Sequence, residues 1–303
     1  MAGRRRAMEL VFLGTAANPS PRRNSSCVLL KIGKIMQLFD CAEGSFRQLQ
    51  ESRHSGSAID RIFITHMHGD HVWGLPALLC AAKFRVNAEI YGPQGIRDWL
   101  RMSLKSCRAK VPSKYKVHEL ILTQEKSLER VASLHVPANP HDDELPGNDI
   151  SCSGDGVWHV LQDETLDIKA GLLTHNVPCW GYVLTEVKSE AEKESAGETT
   201  RGSRKVVILG DTANSKALTT AGRDADVVVH EATLGNCNKE THSTPEMAGS
   251  FAKSMNAKVL VLTHLNRNAG TSKLPATAYL DPAKRAFGRD SVVLAEDFLS
   301  LSL

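Results

Sequence analysis

The run Thr65-His66-Met67-His68-Gly69-Asp70-His71 constrains this chain more than any other feature. It follows directly on the strand-like Arg61-Ile62-Phe63-Ile64. Four ligand-type side chains within six residues at a strand end converge as the backbone turns, and imidazole with carboxylate is the donor set zinc accepts in open sites. A single histidine carries no such meaning, but the full His-x-His-x-Asp-His spacing makes a metal site the expectation.

Three further residues of the same chemical type each follow an apolar, strand-like run. His175 follows Ile168–Leu173, Asp211 follows Val206–Leu209, and His264 follows Val259–Leu262. Strand ends are where layered α/β folds present functional groups. His66, His68, Asp70, His71, His175, Asp211 and His264 are too many ligands for one tetrahedral ion. They suit two ions sharing a bridge, and Asp211, with two oxygens, is the natural bridging residue.

The rest of the chain reads as short β-rich runs, such as Cys27–Ile32, Ile35–Phe39 and Lys205–Leu209, with helical patterns between them at Ser45–Gln50, Leu75–Ala82, Gly95–Cys107 and Thr244–Ser254. That alternation predicts a layered α/β architecture. We expect one domain over residues 1–303, with 139–156 and 187–203 as flexible surface insertions because both are polar and lack an apolar period. The composition, 42% hydrophobic and 23% charged, is that of an ordinary soluble globular protein. The seven cysteines are scattered, without a Cys-x-x-Cys pair, which predicts a reduced intracellular protein rather than a disulfide scaffold. No apolar run reaches the roughly 20 residues of a membrane span. Cytoplasmic location is expected, with Arg4 to Arg6 leaving nuclear or organellar delivery open.

The His-x-His-x-Asp-His run with its distant His, Asp and His resembles the metallo-β-lactamase superfamily. The resemblance implies a four-layer αββα sandwich. It also implies that His66, His68 and His175 hold one zinc, that Asp70, His71 and His264 hold the other, and that Asp211 touches both. Manganese or iron in place of zinc is not excluded by the ligands. Shorter segments are similar to the ribonuclease Z family, which processes tRNA 3′ ends: Phe12-Leu13-Gly14-Thr15, Phe39-Asp40-Cys41-Ala42-Glu43-Gly44, His175-Asn176-Val177-Pro178-Cys179-Trp180-Gly181-Tyr182, His230-Glu231-Ala232-Thr233 and His242-Ser243-Thr244. The last two have no reason to appear in a class B β-lactamase or a glyoxalase II. By this resemblance the chain is a homodimeric endoribonuclease acting on pre-tRNA. Two zinc ions lower the pKa of a shared water towards about 7 and neutralise the scissile phosphate. Asp70 orients that water or takes its proton, and His242 protonates the departing alkoxide. Glu231 orients His242 and raises its pKa. Asp40 is expected as a buried partner of a ligand, and His230 reads equally well as a structural residue.

The chain departs from the family in two places. The family carries a long Gly- and Pro-rich arm after the third metal motif, gripping the tRNA elbow; here only residues 187–203 separate two strands. The basic loop Pro19-Ser20-Pro21-Arg22-Arg23-Asn24 has Pro21 where a lysine is expected, leaving Arg22, Arg23 and Asn24 as RNA-binding candidates. A different grip is visible in Arg97, Arg101, Lys105 and Arg108, which helical spacing places on one face. With Lys110, Lys114 and Lys116 nearby and Asp98 the single acid from 95 to 116, the stripe reads either as a phosphate track or as solvated surface. Two rival functions keep the same ligands or discard their use: hydrolysis of a small phosphodiester or sulfate ester, and non-catalytic RNA binding.

Overall fold

The computed structural model describes residues 6–122, 137–188, 202–213, 216–233 and 240–303. Two sheets lie face to face. The first runs Ser300–Ser302 (β16), Met8–Gly14 (β1), Cys27–Ile32 (β2), Ile35–Phe39 (β3), Ile59–Phe63 (β4), Ala88–Pro93 (β5), Tyr115–Ile121 (β6) and Glu144–Leu145 (β7). Asp149–Ser151 (β8) also pairs with β6. The second runs Val292–Leu294 (β15), Val259–Thr263 (β14), Val227–Glu231 (β13), Lys205–Ile208 (β12), Cys179–Glu186 (β11), Leu166–Leu173 (β10) and Trp158–Gln162 (β9).

Alternation along the strands builds the layers. On β1, Leu10 and Phe12 face the second sheet, whereas Val11 and Leu13 face outward to the helices. The inter-sheet core is aromatic: Phe39 stacks on Phe63 at 5.0 Å, Phe63 on Tyr91 at 5.1 Å, and Tyr182 meets Phe63 edge-on at 5.4 Å from the opposite sheet. Outside the first sheet lie Ser45–Glu51 (α1), Gly69–Val72 (α2), Leu75–Ala81 (α3) and Ile96–Ser106 (α4). Outside the second lie Pro245–Ser254 (α5) and Thr277–Phe287 (α6). This is the expected four-layer αββα arrangement. Thr244 caps α5, its side chain accepting from the Met247 N–H at 3.4 Å, with Pro245 in the first turn.

The segment 139–156 is not the loose insertion that its composition suggested. It supplies β7 and β8, both parallel to β6. Backbone hydrogen bonds from Tyr115 to Asp143 and from Glu119 to Asn148 fix their register. At Gly147 an added Cβ would fall 1.9 Å from the Val117 carbonyl oxygen, so the strand approaches this closely only because the residue is glycine. Most of the other expected insertion, 189–201 of 187–203, lies outside the described residues. Its flanks are tied together: the Glu186 N–H donates to the Arg204 carbonyl at 2.8 Å, and the two side chains form a buried ion pair. No helix of the described residues is long and apolar enough to cross a membrane.

Candidate metal centre

Parallel strands β3 to β6 of one sheet and β12 to β15 of the other deliver the chemistry at their carboxyl ends. His66 follows β4 and is packed against its turn; Asp211 follows β12, Glu231 closes β13, and His264 begins immediately after β14. Gly210 lets the two sheets meet there, since a Cβ on it would lie 2.6 Å from Cys179 Sγ and 2.7 Å from Thr65 Cβ. Residues far apart in sequence are thereby brought into two adjoining groups, and His242 stands close enough to Asp211 and His264 to form a third with them. His66, His68, His175 and Asp211 present one ligand atom each within 4.8 Å of one another, and so do Asp70, His71 and His264.

Asp211 lies between the groups. Its Oδ1 is 3.5 Å from His71 Nε2, while its Oδ2 is 3.8 Å from His66 Nε2 and 3.3 Å from His264 Nε2. Burial pushes this carboxyl towards the neutral form, but His264 and His71 outweigh burial and hold it well below the usual carboxylate range. His66 Nε2 and His175 Nε2 sit 3.1 Å and 3.3 Å from His68 Nδ1.

The outer nitrogens of four rings are all satisfied by acceptors. His71 Nδ1 donates to Asp40 Oδ2 at 2.7 Å, and His175 Nδ1 donates to the Thr241 carbonyl at 2.7 Å. The Thr65 hydroxyl donates to Asp40 and so accepts from His66 Nδ1 at 3.0 Å. The Thr233 hydroxyl lies 3.2 Å from His264 Nδ1 and donates to Glu231 Oε2 at 2.9 Å. Fixing the proton on Nδ1 leaves each Nε2 lone pair aimed inwards, the arrangement that metal-binding histidines require. Among these, the buried His71 Nε2 has no hydrogen-bond partner at all. Imidazole nitrogens and carboxylate oxygens that face one another at 3.3 to 3.8 Å offer a cation its donors, so the residues present suit the implied metal. Asp40 and His264 both adopt left-handed backbone, φ 58° and 51°, an uncommon conformation for residues other than glycine and one that clusters at functional sites.

Glu231 is buried and gathers the loop after β12. It accepts from the Thr212 N–H at 2.9 Å and from His242 Nδ1 at 3.0 Å, both on Oε1. That hydrogen bond raises the His242 pKa above its ordinary value. The ring stays partly open to solvent and lies parallel to His264, 5.6 Å away. His230, its neighbour on β13, points to the other face: buried, it donates from Nδ1 to the Glu231 carbonyl and packs on Phe251. It is a structural residue, apart from the site.

The RNA-binding candidates divide. Arg22 is exposed, but Arg23 is buried and donates to Thr15 Oγ1 and the Ala295 carbonyl. The Asn24 side chain donates to the Glu43 carbonyl. On α4 the expected four-cation face is corrected: Arg97 pairs with Glu119 and Asp149, and Arg101 with Asp98 and Glu144. Glu119, Glu144 and Asp149 come from β6, β7 and β8, outside the window in which Asp98 was the only acid. Lys105 and Arg108 alone of the four remain exposed. Thr65, Thr233 and the Thr241 carbonyl were not anticipated; single hydroxyls and backbone oxygens carry no pattern in a sequence.

Fold and site together define a metal-dependent hydrolase of the metallo-β-lactamase type. The β-lactamase superfamily domain matches residues 37–265. Zinc phosphodiesterase ELAC protein 1 of Homo sapiens is 31% identical over 360 residues, covering 98% of this chain and 99% of that protein. Ribonuclease Z of Prochlorococcus marinus (strain MIT 9301) is 32% identical, covering 98% and 100%. The crystal structure of human tRNase Z, short form, superposes with a TM-score of 0.75 at 33% identity, covering 97% of this chain and 98% of that one. The chain belongs to the ribonuclease Z family of this superfamily. The human alignment is longer than the 303 residues here, so that relative carries segments without a counterpart in this chain.

Proposed function

We propose that the chain is a zinc-dependent phosphodiesterase that removes the 3′ trailer from pre-tRNA. The observation that carries this reading is the Glu231–His242 pair set beside the seven ligand residues, because a metal centre alone does not need it. Zinc held by these residues supplies positive charge against the scissile phosphate and acidifies water at neutral pH. In this reading Asp70, about a third exposed on its side chain, orients the attacking water and accepts its proton. Water adds to phosphorus as the P–O3′ bond breaks. The departing 3′ oxygen takes a proton from His242 Nε2, the nitrogen turned away from Glu231. Glu231 holds the other nitrogen and favours the protonated ring. The products are a tRNA 3′-hydroxyl and a trailer with a 5′-phosphate.

The reading includes two ions per chain, a cytoplasmic homodimer and RNA as partner, all carried from the family resemblance. Names of the relatives, zinc phosphodiesterase and ribonuclease Z, support the substrate class. The test is cleavage of a pre-tRNA alongside bis-p-nitrophenyl phosphate by the purified protein. Endonucleolytic release of the trailer is expected. Hydrolysis of the small diester with intact pre-tRNA would favour a small-ester hydrolase, and no turnover of either would favour a binding protein.

A further inference from the structure

Among the described residues, Trp73 is the most exposed large apolar side chain, at 67%. An isolated exposed apolar residue is ordinary; the placement of this one is not. It follows α2, whose first residues include the ligands Asp70 and His71. A helical side chain leans back over the preceding turn, and the indole lies across Gly69, between the ligands His68 and Asp70. A Cβ on Gly69 would fall 2.3 to 2.5 Å from three indole ring atoms, so the ring rests on a bare backbone. One face of the ring is therefore held against the Gly69 backbone, while the side chain as a whole remains 67% exposed beside the metal centre.

We propose that Trp73 is a stacking platform for one unpaired nucleobase flanking the scissile phosphate. This rests on the phosphodiesterase reading above. A phosphate seated at the ligands carries its base within reach of the adjoining surface, and an indole face held flat loses little freedom on stacking. Base–aromatic stacking tolerates any base, which suits trailers of varied sequence. The other tryptophans do not serve: Trp158 and Trp180 are buried in the inter-sheet core, and Trp99 packs against the core beneath α4.

The test compares metal-loaded wild type, Trp73→Ala and Trp73→Phe on pre-tRNA and on bis-p-nitrophenyl phosphate, and follows indole fluorescence during titration with a short single-stranded ribo-oligonucleotide. Trp73→Ala is expected to lower the preference for RNA over the small diester, as the ratio of kcat/KM values, by about five- to 150-fold, mainly through KM for RNA. Trp73→Phe should recover most of that ratio, and the oligonucleotide should quench wild-type but not Trp73→Phe fluorescence. An unchanged ratio, or equal losses on both substrates, overturns the proposal, the latter by showing that Trp73 only supports the ligand turn. A wild type that spares pre-tRNA refutes the RNA reading separately; the stacking proposal is then decided by the quench.

Discussion

Glu231 Oε1 is shared between His242 Nδ1 at 3.0 Å and the Thr212 N–H at 2.9 Å. One carboxylate oxygen thus joins the proposed proton donor to the loop that carries Asp211. The histidine is oriented by the same backbone segment that positions Asp211, so His242 and the candidate metal centre are set by one element.

Replacing His242 by Ala should therefore slow pre-tRNA cleavage by about 10² to 10⁴ while metal content stays unchanged. Single-turnover rates with elemental analysis of the same preparation check this. An empty site in the variant would reassign His242 as a ligand.

Asp211→Ala should lose metal, whereas Asp40→Asn should weaken metal affinity by about 10- to 100-fold without emptying the site. Asparagine tolerates the left-handed backbone at position 40, which makes it the gentler probe of the contact to His71. Competition with a chelator gives the affinities, and wild type should hold about two transition-metal ions per chain. Equal affinity in wild type and Asp40→Asn would mean that the orientation of His71 does not depend on this carboxylate.

Arg101→Glu should destabilise the fold by about 3 kcal/mol or more, because it leaves Glu144 buried and faces it with a like charge. Lys105→Glu with Arg108→Glu should leave stability within about 0.5 kcal/mol, since both are exposed. Urea unfolding separates the two cases. If RNA does cross this face, its salt dependence should flatten in the exposed double variant, by about 0.7 to 0.9 in log–log slope per lost phosphate contact.

Phe63→Ala should cost about 3 to 5 kcal/mol. The ring stacks on Phe39 and Tyr91 and meets Tyr182 across the sheets, so the void opens beneath the strand that leads to His66. A cost near 1 kcal/mol in urea unfolding would show that the surrounding aromatics collapse into the gap.

The clustering of the seven His and Asp side chains was legible because its information is local: each follows an apolar run, and four share one turn. The layers were legible for the same reason, with β2 and β3 read to the residue as Cys27–Ile32 and Ile35–Phe39. What escaped depends on partners distant in sequence. Arg101 looked free because Glu144 lies 43 positions away, and the strands at 144–145 and 149–151 looked like loop because their short, polar segments gain order only from β6. Tyr115–Ile121 was missed because Lys116, His118 and Glu119 interrupt its apolar run, and α6 because Pro282 sits inside it.

The Glu186–Arg204 pair bears on what the β11–β12 connection of this chain can carry. It closes the neck of the β11–β12 connection at the sheet, so the strand register below does not sense what is attached above. Lengthening a surface loop is cheap, about 0.6 kcal/mol for each doubling. The neck is thus a socket: segments of very different size can be exchanged there while Asp211 and His175, at the far ends of the same strands, keep their places.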